Sequence, residues 1–204
     1  MMYSILEDLR ANVQSASIMP ERRELIDAMV HSIMTDLKDH EDLVLHFICT
    51  HNARRSQLAQ VWASVWADHF ELPIRAISGG TEASAVHPNV LKALSSQGFE
   101  VISHATKGHI CRWKKGHSGT HVFSKKWEDA LPGGRPFVAV MTCSEADKEC
   151  PVVSGALSRF PLRFKDPKEF DDQPNAIEGY QTRSLEIAHE LYDLFSNLKR
   201  THEL

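Results

Sequence analysis

The sequence lacks a long apolar run and a strong excess of charge of either sign. Its longest apolar runs are far shorter than the roughly 20 residues needed to cross a bilayer. The first ten residues, MMYSILEDLR, carry acidic side chains where a secretory signal has a basic start and an apolar core. The net charge of −4 provides no general attraction to nucleic acid or anionic lipid. We therefore expect a cytoplasmic chain with neither a nucleic-acid nor a membrane partner.

Cysteine is also scarce, with four in 204 residues at irregular spacing. Such a pattern in a cytoplasmic chain indicates reactive thiols rather than a disulfide framework. No internal repeat or low-complexity segment stands out, and a composition of 42% apolar and 25% charged residues is typical of a globular protein. The length suits one α/β domain over 42–204, with a helical extension over 1–41.

The most informative stretch is LVLHFICTHNARRS, which covers 43–56. It begins as a buried strand and is followed at once by QLAQVWASVWADHF, an apolar pattern that predicts an amphipathic helix. A tight loop between a strand and a helix N-terminus binds anions through its backbone N–H groups, and Arg55 adds a bidentate fork. The same features favour the thiolate form of Cys49 at the mouth of the loop. The predicted oxyanion-binding residues are Thr50, His51, Asn52, Ala53, Arg54, Arg55 and Ser56.

The alternative is that Cys49 is only a small core residue at a strand end. A core cysteine would need neither Asn52, which tolerates left-handed backbone, nor the arginines and serine that follow it. The strand–loop–helix context therefore favours a nucleophilic thiolate that faces a bound oxyanion.

The rest of the chain alternates strands and helices, which predicts a parallel sheet covered by helices on both faces. Ligands bind beyond the carboxyl ends of such strands, where Cys49 lies. The predicted helices are Tyr3–Val13, one from Pro20, one from Pro88 to Gly98, and Thr182–Arg200. The predicted strands after the first are 74–78, Val101–Ser103, Pro136–Thr142 and Arg159–Lys165, with Gly79–Glu82 as a loop.

Residues 104–135 form a basic insertion without helical period, in which 115–119 reads as a turn between two extended pieces. Its histidines and Cys111 raise the possibility of zinc, but their spacing matches no paired-ligand pattern. We expect neither a metal nor a cofactor. The insertion is interpreted as a solvated hairpin near the site mouth, or as one that biases binding toward anions. The zinc alternative rests on His104, His109, Cys111, His117 and His121.

Two further features lie beyond the insertion. Cys143 follows a buried strand that should end on the same sheet edge as Cys49, and six mostly polar residues separate it from Cys150. The two thiols could approach to disulfide distance after local unwinding of that segment, which we expect to be mobile. They could also be unrelated. Asp166 precedes a proline and is either an ordinary turn residue or a proton donor.

CTHNARRS resembles the phosphate loop of the low-molecular-weight protein tyrosine phosphatases and of their relatives, the thioredoxin-coupled arsenate reductases. SGGTE, PNVLKAL and above all CSEADKECP resemble the reductase branch, because ordinary phosphatases of this fold lack the second cysteine pair. Two positions depart from the pattern. His51 stands where the phosphatases usually have glycine, and Gln60 where the reductases often have a glutamate near the loop, which leaves no support for a monovalent-cation site.

The resemblance implies a fold with a central parallel four-stranded sheet, and it implies three open functions. In a reductase, Cys49 attacks arsenate, Cys143 attacks the adduct and Cys150 passes the disulfide to a thioredoxin- or glutaredoxin-type dithiol. In a phosphatase, Cys49 takes phosphate from phosphotyrosine and Asp166 is the general acid. A non-catalytic oxyanion sensor is the third. A reduction needs a place for two electrons, which the extra cysteines supply, so the reductase is favoured.

Overall fold

The structure is a computed structural model that describes residues 19–104, 108–130 and 133–202. Its helices are α1 (Pro20–Asp39), α2 (Arg55–His69), α3 (Pro88–Ser96), α4 (Ser144–Glu149) and α5 (Ala176–His202). Its strands are β1 (Leu43–Cys49), β2 (Ile74–Gly80), β3 (Glu100–His104), β4 (Gly108–Arg112), β5 (Thr120–Val122), β6 (Phe137–Met141) and β7 (Ser158–Phe160). Short 3-10 turns cover Glu128–Ala130 and Pro167–Phe170.

The central sheet has four parallel strands in the order β2-β1-β6-β7, as the family resemblance implies. In the register of β1 with β6, Ile48 lies opposite Met141. The pairing continues one residue further, where the Thr142 N–H donates to the Ile48 carbonyl over 2.7 Å. The residues that follow β1 and β6 therefore emerge at one edge of the sheet, which confirms the prediction for Cys49 and Cys143.

A second sheet contains β3, β4 and β5, all antiparallel. The prediction that Val101–Ser103 belongs to the parallel sheet is wrong. Only three residues separate β3 from β4, and a connection that short joins antiparallel neighbours, whereas a parallel crossover needs a dozen residues or more. The predicted turn over 115–119 is confirmed, since it joins β4 to β5.

The two faces of the central sheet are covered unequally. One face packs against α1, α2 and α5 in a core that includes Phe47, Trp62 and Leu194. The other face is covered by the short helix α4 and by Trp127. The helix predicted from Pro20 is confirmed as α1, which adds apolar side chains to the main core, while Tyr3–Val13 lies outside the described residues.

Helix α2 is buried on nearly every side, so the prediction of an amphipathic helix is wrong here. It lies between the central sheet, α5 and strand β5 of the insertion. Its two indoles donate hydrogen bonds into α5, from Trp62 to Ser184 over 2.8 Å and from Trp66 to the Ala188 carbonyl over 2.9 Å. This rigid helix fixes the position of the loop that precedes it.

The insertion is not a solvated hairpin. Cys111, Trp113 and Val122 are buried and join the main core. Two smaller differences concern the strands: Gly79 and Gly80 continue β2 rather than forming a loop, and β7 ends at Phe160, before the predicted Lys165. No helix in the described ranges has the length and apolarity to cross a bilayer.

Candidate active site

In the loop between β1 and α2, the carbonyl groups of Thr50 and His51 accept hydrogen bonds from neighbouring parts of the protein. The His51 carbonyl accepts from Ser84 Oγ (3.1 Å) and Ser124 Oγ (3.0 Å), and the Thr50 carbonyl accepts from the Glu82 N–H (2.8 Å). In the part of the chain described, no protein group accepts a hydrogen bond from the N–H groups of 51–55. These N–H groups are available to an oxyanion, which is the arrangement the sequence predicts.

Asn52 determines the shape of the loop. It adopts a φ of 47°, in the left-handed region that asparagine tolerates. Its side-chain amide donates to Ser56 Oγ over 2.8 Å, and its side-chain oxygen accepts from the Lys125 N–H over 3.0 Å. Ser56 Oγ in turn lies 3.1 Å from Cys49 Sγ. A polar chain thus connects the insertion to the candidate nucleophile.

Arg55 lies in the cleft beside the acidic residues of the opposite wall. Its Nη2 is 2.6 Å from Asp166 Oδ2, and its Nη1 is 4.0 Å from Glu145 Oε2. Its side chain is only 12% exposed. The predicted anion fork and the predicted proton donor are therefore in direct contact.

Arg54 is held differently from its neighbour. Its guanidinium donates to Tyr180 Oη (2.6 Å) and to the Asp171 carboxylate (2.5 Å), and Tyr180 also donates to Asp171 over 2.6 Å. The ring of His87 stacks on Tyr180 with centroids 5.4 Å apart. Burial acts to raise the pKa of Asp171, but the Tyr180 hydrogen bond and the Arg54 charge hold it below its ordinary value. Arg54 thus anchors the loop to α5, and its guanidinium binds Tyr180 and Asp171 rather than pointing to the oxyanion site.

Cys143 stands against the anion loop. Its Sγ lies 3.5 Å from Thr50 Oγ1 and accepts a hydrogen bond from the Ala146 N–H at the start of α4. The side chain is fully buried, and burial raises the pKa of its thiol, opposed by those two hydrogen bonds and by the charge of Arg55. The structure brings this cysteine to the same edge as Cys49.

Cys150 lies at the other end of α4 and is half-buried. Burial, together with the charges of Glu128 and Glu149, raises the pKa of its thiol. The expectation of a mobile segment without an anchor is wrong. Residues 144–149 form a helix whose Ala146 is fully buried and whose Asp147 is bound by two arginines. All four cysteines are free thiols.

The cleft at this edge has a volume of about 600 Å³. Among its described lining residues none is phenylalanine, tyrosine or tryptophan, and carboxylates stand beside basic groups. A slightly larger cavity, of about 650 Å³, lies between α1 and α5, and none of the anion-loop residues 50–55 lines it. The residues that line the cleft are Thr50, His51, Ala53, Arg54, Arg55, Ser84, Ala85, His87, Glu145, Glu149, Asp166 and Lys168.

Gln60 and two of the insertion histidines, His109 and His117, have structural partners. The Gln60 amide donates to Thr120 and to the His121 carbonyl, and its oxygen accepts from Ser78 over 2.6 Å. Burial raises the pKa of Cys111 to about 12, so this thiol is not a ready metal ligand. Within the described residues, no three His, Cys, Asp or Glu side chains come together in a way that could hold a metal ion.

Sequence reasoning missed two supports of the site. The partners of Arg54 carry no local signal, since Asp171 and Tyr180 are 117 and 126 residues away along the chain. The segment over 123–125 also binds the loop, although its sequence reads only as a basic stretch. The Gln57 amide donates to the Asn52 and Phe123 carbonyls over 2.8 and 2.9 Å. The signal available in the sequence was Gln57 itself, a polar residue at a buried position of the helix, which indicates a hydrogen-bond partner.

Comparison with known proteins found relatives in sequence and in fold. No protein-family model matches the chain. An arsenate reductase of Staphylococcus epidermidis is 28% identical over 149 residues, which cover 68% of this chain and 96% of that protein. An arsenate reductase of Bacillus cereus is 29% identical over 124 residues, covering 60% of this chain and 75% of its own.

Solved structures agree on the fold. A low-molecular-weight phosphotyrosine phosphatase of Vibrio cholerae matches with a TM-score of 0.53 at 13% identity, over 79% of this chain and 99% of its own. A low-molecular-weight protein tyrosine phosphatase of Bacillus subtilis matches with a TM-score of 0.51 at 18% identity, over 78% and 99%. The fold is therefore that of the low-molecular-weight protein tyrosine phosphatases, and the sequence is similar to those of arsenate reductases.

Proposed function

We propose that this chain is an arsenate reductase that uses Cys49 as nucleophile and Cys143 and Cys150 as a thiol relay. The observation that carries the proposal is the position of Cys143, whose Sγ lies 3.5 Å from Thr50 of the anion loop. A phosphatase needs no second thiol at this place, whereas a reduction must transfer two electrons to the substrate. The curated relatives named arsenate reductase support the same conclusion.

The reaction begins with arsenate in the loop, bound by the N–H groups of 51–55 and by Arg55. The Cys49 thiolate attacks arsenic, a bond from arsenic to oxygen breaks, and water leaves after protonation. The Cys143 thiolate then attacks the Cys49 sulfur. The electron pair of the sulfur–arsenic bond stays on arsenic, which leaves as arsenite, and a disulfide joins Cys49 to Cys143.

Cys150 completes the relay. Its thiolate attacks the Cys143 sulfur, so the Cys143–Cys150 disulfide forms and Cys49 leaves as the thiolate. An external dithiol protein of the thioredoxin or glutaredoxin type then reduces that disulfide. We place the reaction in the cytoplasm, where such dithiols keep cysteines reduced.

The walls of the cleft support a small oxyanion as substrate. No phenylalanine, tyrosine or tryptophan among the described lining residues offers a surface for a tyrosine side chain, although contacts with such rings are a common source of binding energy for aryl groups. Glu145, Glu149 and Asp166 also line the cleft, and they disfavour an acidic phosphopeptide. Arsenate needs only the loop and Arg55.

Hydrolysis of aryl phosphates is the second candidate function, and the position of Asp166 favours it. This carboxyl is 35% exposed, lies at the cleft and contacts Arg55, so it can protonate a leaving oxygen above the bound anion. Hydrolysis would use only Cys49, the loop and Asp166.

The test compares arsenate reduction with aryl phosphate hydrolysis in the wild type and in three cysteine variants. Cys49→Ser should abolish both activities. Cys143→Ser should abolish arsenate turnover and keep hydrolysis nearly intact. Cys150→Ser should allow at most one turnover and accumulate a Cys49–Cys143 disulfide, detected as a cross-linked peptide by mass spectrometry. Cys111→Ala is the matched control, because this buried thiol lies outside the relay.

The proposal fails if the wild type turns over no arsenate with any thioredoxin or glutaredoxin system. It also fails if Cys143→Ser and Cys150→Ser reduce arsenate at the wild-type rate. Full aryl phosphate activity in both variants, combined with no arsenate turnover in the wild type, would identify the chain as a phosphatase.

A further inference from the structure

The helix between the two relay cysteines is held at its C-terminal end by an arginine from the neighbouring strand. Arg159 of β7 donates from Nε to the Cys150 carbonyl over 2.9 Å. Its Nη2 donates to the Asp147 carbonyl over 2.6 Å. A guanidinium bound to the last carbonyl groups of a helix satisfies acceptors that have no partner within the helix.

The same arginine binds a carboxylate of the helix. Arg159 Nη2 lies 2.5 Å from Asp147 Oδ1, and the other carboxylate oxygen is bound by Arg163. The Asp147 side chain is only 7% exposed and that of Arg159 only 22%. Partly buried ion pairs with several hydrogen bonds are stronger than exposed ones, and loss of one partner is costly.

This arrangement is incompatible with a bond between the two cysteines. Cys143 and Cys150 flank the six residues of α4, so a helical rise of about 1.5 Å per residue separates their Cα atoms by about 10 Å. A disulfide requires roughly 4.4–6.8 Å. The helix must therefore unwind before the bond forms, and Asp147 and the Cys150 carbonyl must move relative to Arg159.

We propose that Arg159 and Asp147 act as a latch that stabilises the dithiol form of the Cys143–Cys150 pair. The latch sets the redox equilibrium of the relay, because its hydrogen bonds exist in the helical dithiol and are lost in the disulfide. It also keeps Cys143 at the anion loop as a thiol until the exchange reaction draws it away. The proposal rests on the relay of the proposed function, but it concerns only the equilibrium of these two thiols.

The experiment measures that equilibrium in the full-length protein with glutathione buffers. Two thiols and one glutathione disulfide yield one protein disulfide and two glutathione thiols, so atoms and electrons balance. All samples carry Cys49→Ser, which prevents the competing Cys49–Cys143 bond. The fraction of Cys143–Cys150 disulfide is determined by alkylation and mass spectrometry over a range of glutathione ratios.

Arg159→Met should shift the equilibrium constant toward the disulfide by about tenfold or more, and tenfold corresponds to about 30 mV for a two-electron couple. Asp147→Asn should shift it in the same direction. Arg159→Lys, which keeps the charge but loses the two-pronged geometry, should give a smaller shift and provides a second variant if Arg159→Met fails to fold. Arg135→Met is the control, since this arginine pairs with Asp42, away from α4.

The latch is overturned if the Arg159 and Asp147 variants have the equilibrium of their parent, or if they shift it toward the dithiol. It is also overturned if no Cys143–Cys150 disulfide forms at any glutathione ratio. A shift as expected in a protein whose wild type reduces no arsenate would support the latch and reject the proposed substrate. The two proposals can therefore fail separately.

Discussion

Arg55 and Asp166 form an ion pair across the candidate active site, with Nη2 and Oδ2 2.6 Å apart. One is the predicted fork for the oxyanion and the other the predicted proton donor. An oxyanion that enters the loop must share Arg55 with this carboxylate. Asp166 therefore has two opposite effects: it competes with the oxyanion for Arg55, and it can supply the proton that hydrolysis needs.

We expect Asp166→Asn to lower aryl phosphate hydrolysis by roughly 10²–10⁴-fold, because the leaving oxygen loses its proton donor. The same variant should bind inorganic phosphate more tightly, since Arg55 no longer contacts a carboxylate. Steady-state kinetics with phosphate as a competitive inhibitor measures both effects. The loss should be smaller for an aryl phosphate whose phenol leaves without a proton.

Glu169→Gln is the matched control, because Glu169 lies on the same turn as Asp166 but pairs with Arg183. It should leave both measurements near the wild-type values. A parallel loss of phosphate binding and hydrolysis in Asp166→Asn would instead assign Asp166 to holding the loop in place.

The insertion can be tested at Ser124. Its Oγ donates to the His51 carbonyl over 3.0 Å and accepts from the Ser84 N–H over 2.9 Å. Ser124→Ala should weaken phosphate binding by about three- to tenfold, because a net hydrogen bond contributes about 1 kcal/mol to the loop. Ser118→Ala, in the exposed turn of the same insertion, should have no effect. Equal inhibition constants for the two variants would show that the insertion does not support the loop.

The environment of His46 leads us to expect that the stability of the fold depends on pH. This side chain in β1 is fully buried, its ring nitrogens have no hydrogen-bond partner among the described residues, and burial with the charge of Lys125 lowers its pKa to about 3. The unfolded chain takes up a proton near pH 6.5. Between pH 6.5 and 3 only the unfolded state binds this proton, so the free energy of unfolding falls as the pH falls, by about 1.4 kcal/mol per unit.

His46→Leu should remove this part of the acid sensitivity and leave stability at pH 7 equal or higher, because an unpartnered polar ring is replaced by an apolar side chain. Urea unfolding at several pH values between 4 and 7.5 measures the effect. His31→Leu on the exposed side of α1 is the control and should keep the wild-type slope. An unchanged slope in His46→Leu would mean that His46 is protonated in the folded protein.

Local sequence was sufficient to predict the strand–loop–helix unit around Cys49. A strand that ends in Cys49, a loop with Asn52 and Arg55, and a helix immediately after it are neighbours along the chain. Their geometry follows from backbone preferences and periodicity, which act over a few residues. The placement of Cys143 at the same sheet edge as Cys49 also followed from sequence, because parallel strands end at a common edge.

Only the tertiary structure showed which residues hold the anion loop and the 144–149 helix in place. Arg54 binds Asp171 and Tyr180 more than 100 residues away, and Arg159 binds Asp147 from another element. The sequence of 144–149 gave no sign of an anchor, because its one buried residue is a small alanine and Asp147 could equally have faced solvent. Hydrogen bonds and ion pairs between distant residues leave no periodic trace in a sequence, since a charged side chain reads alike whether it meets water or a partner.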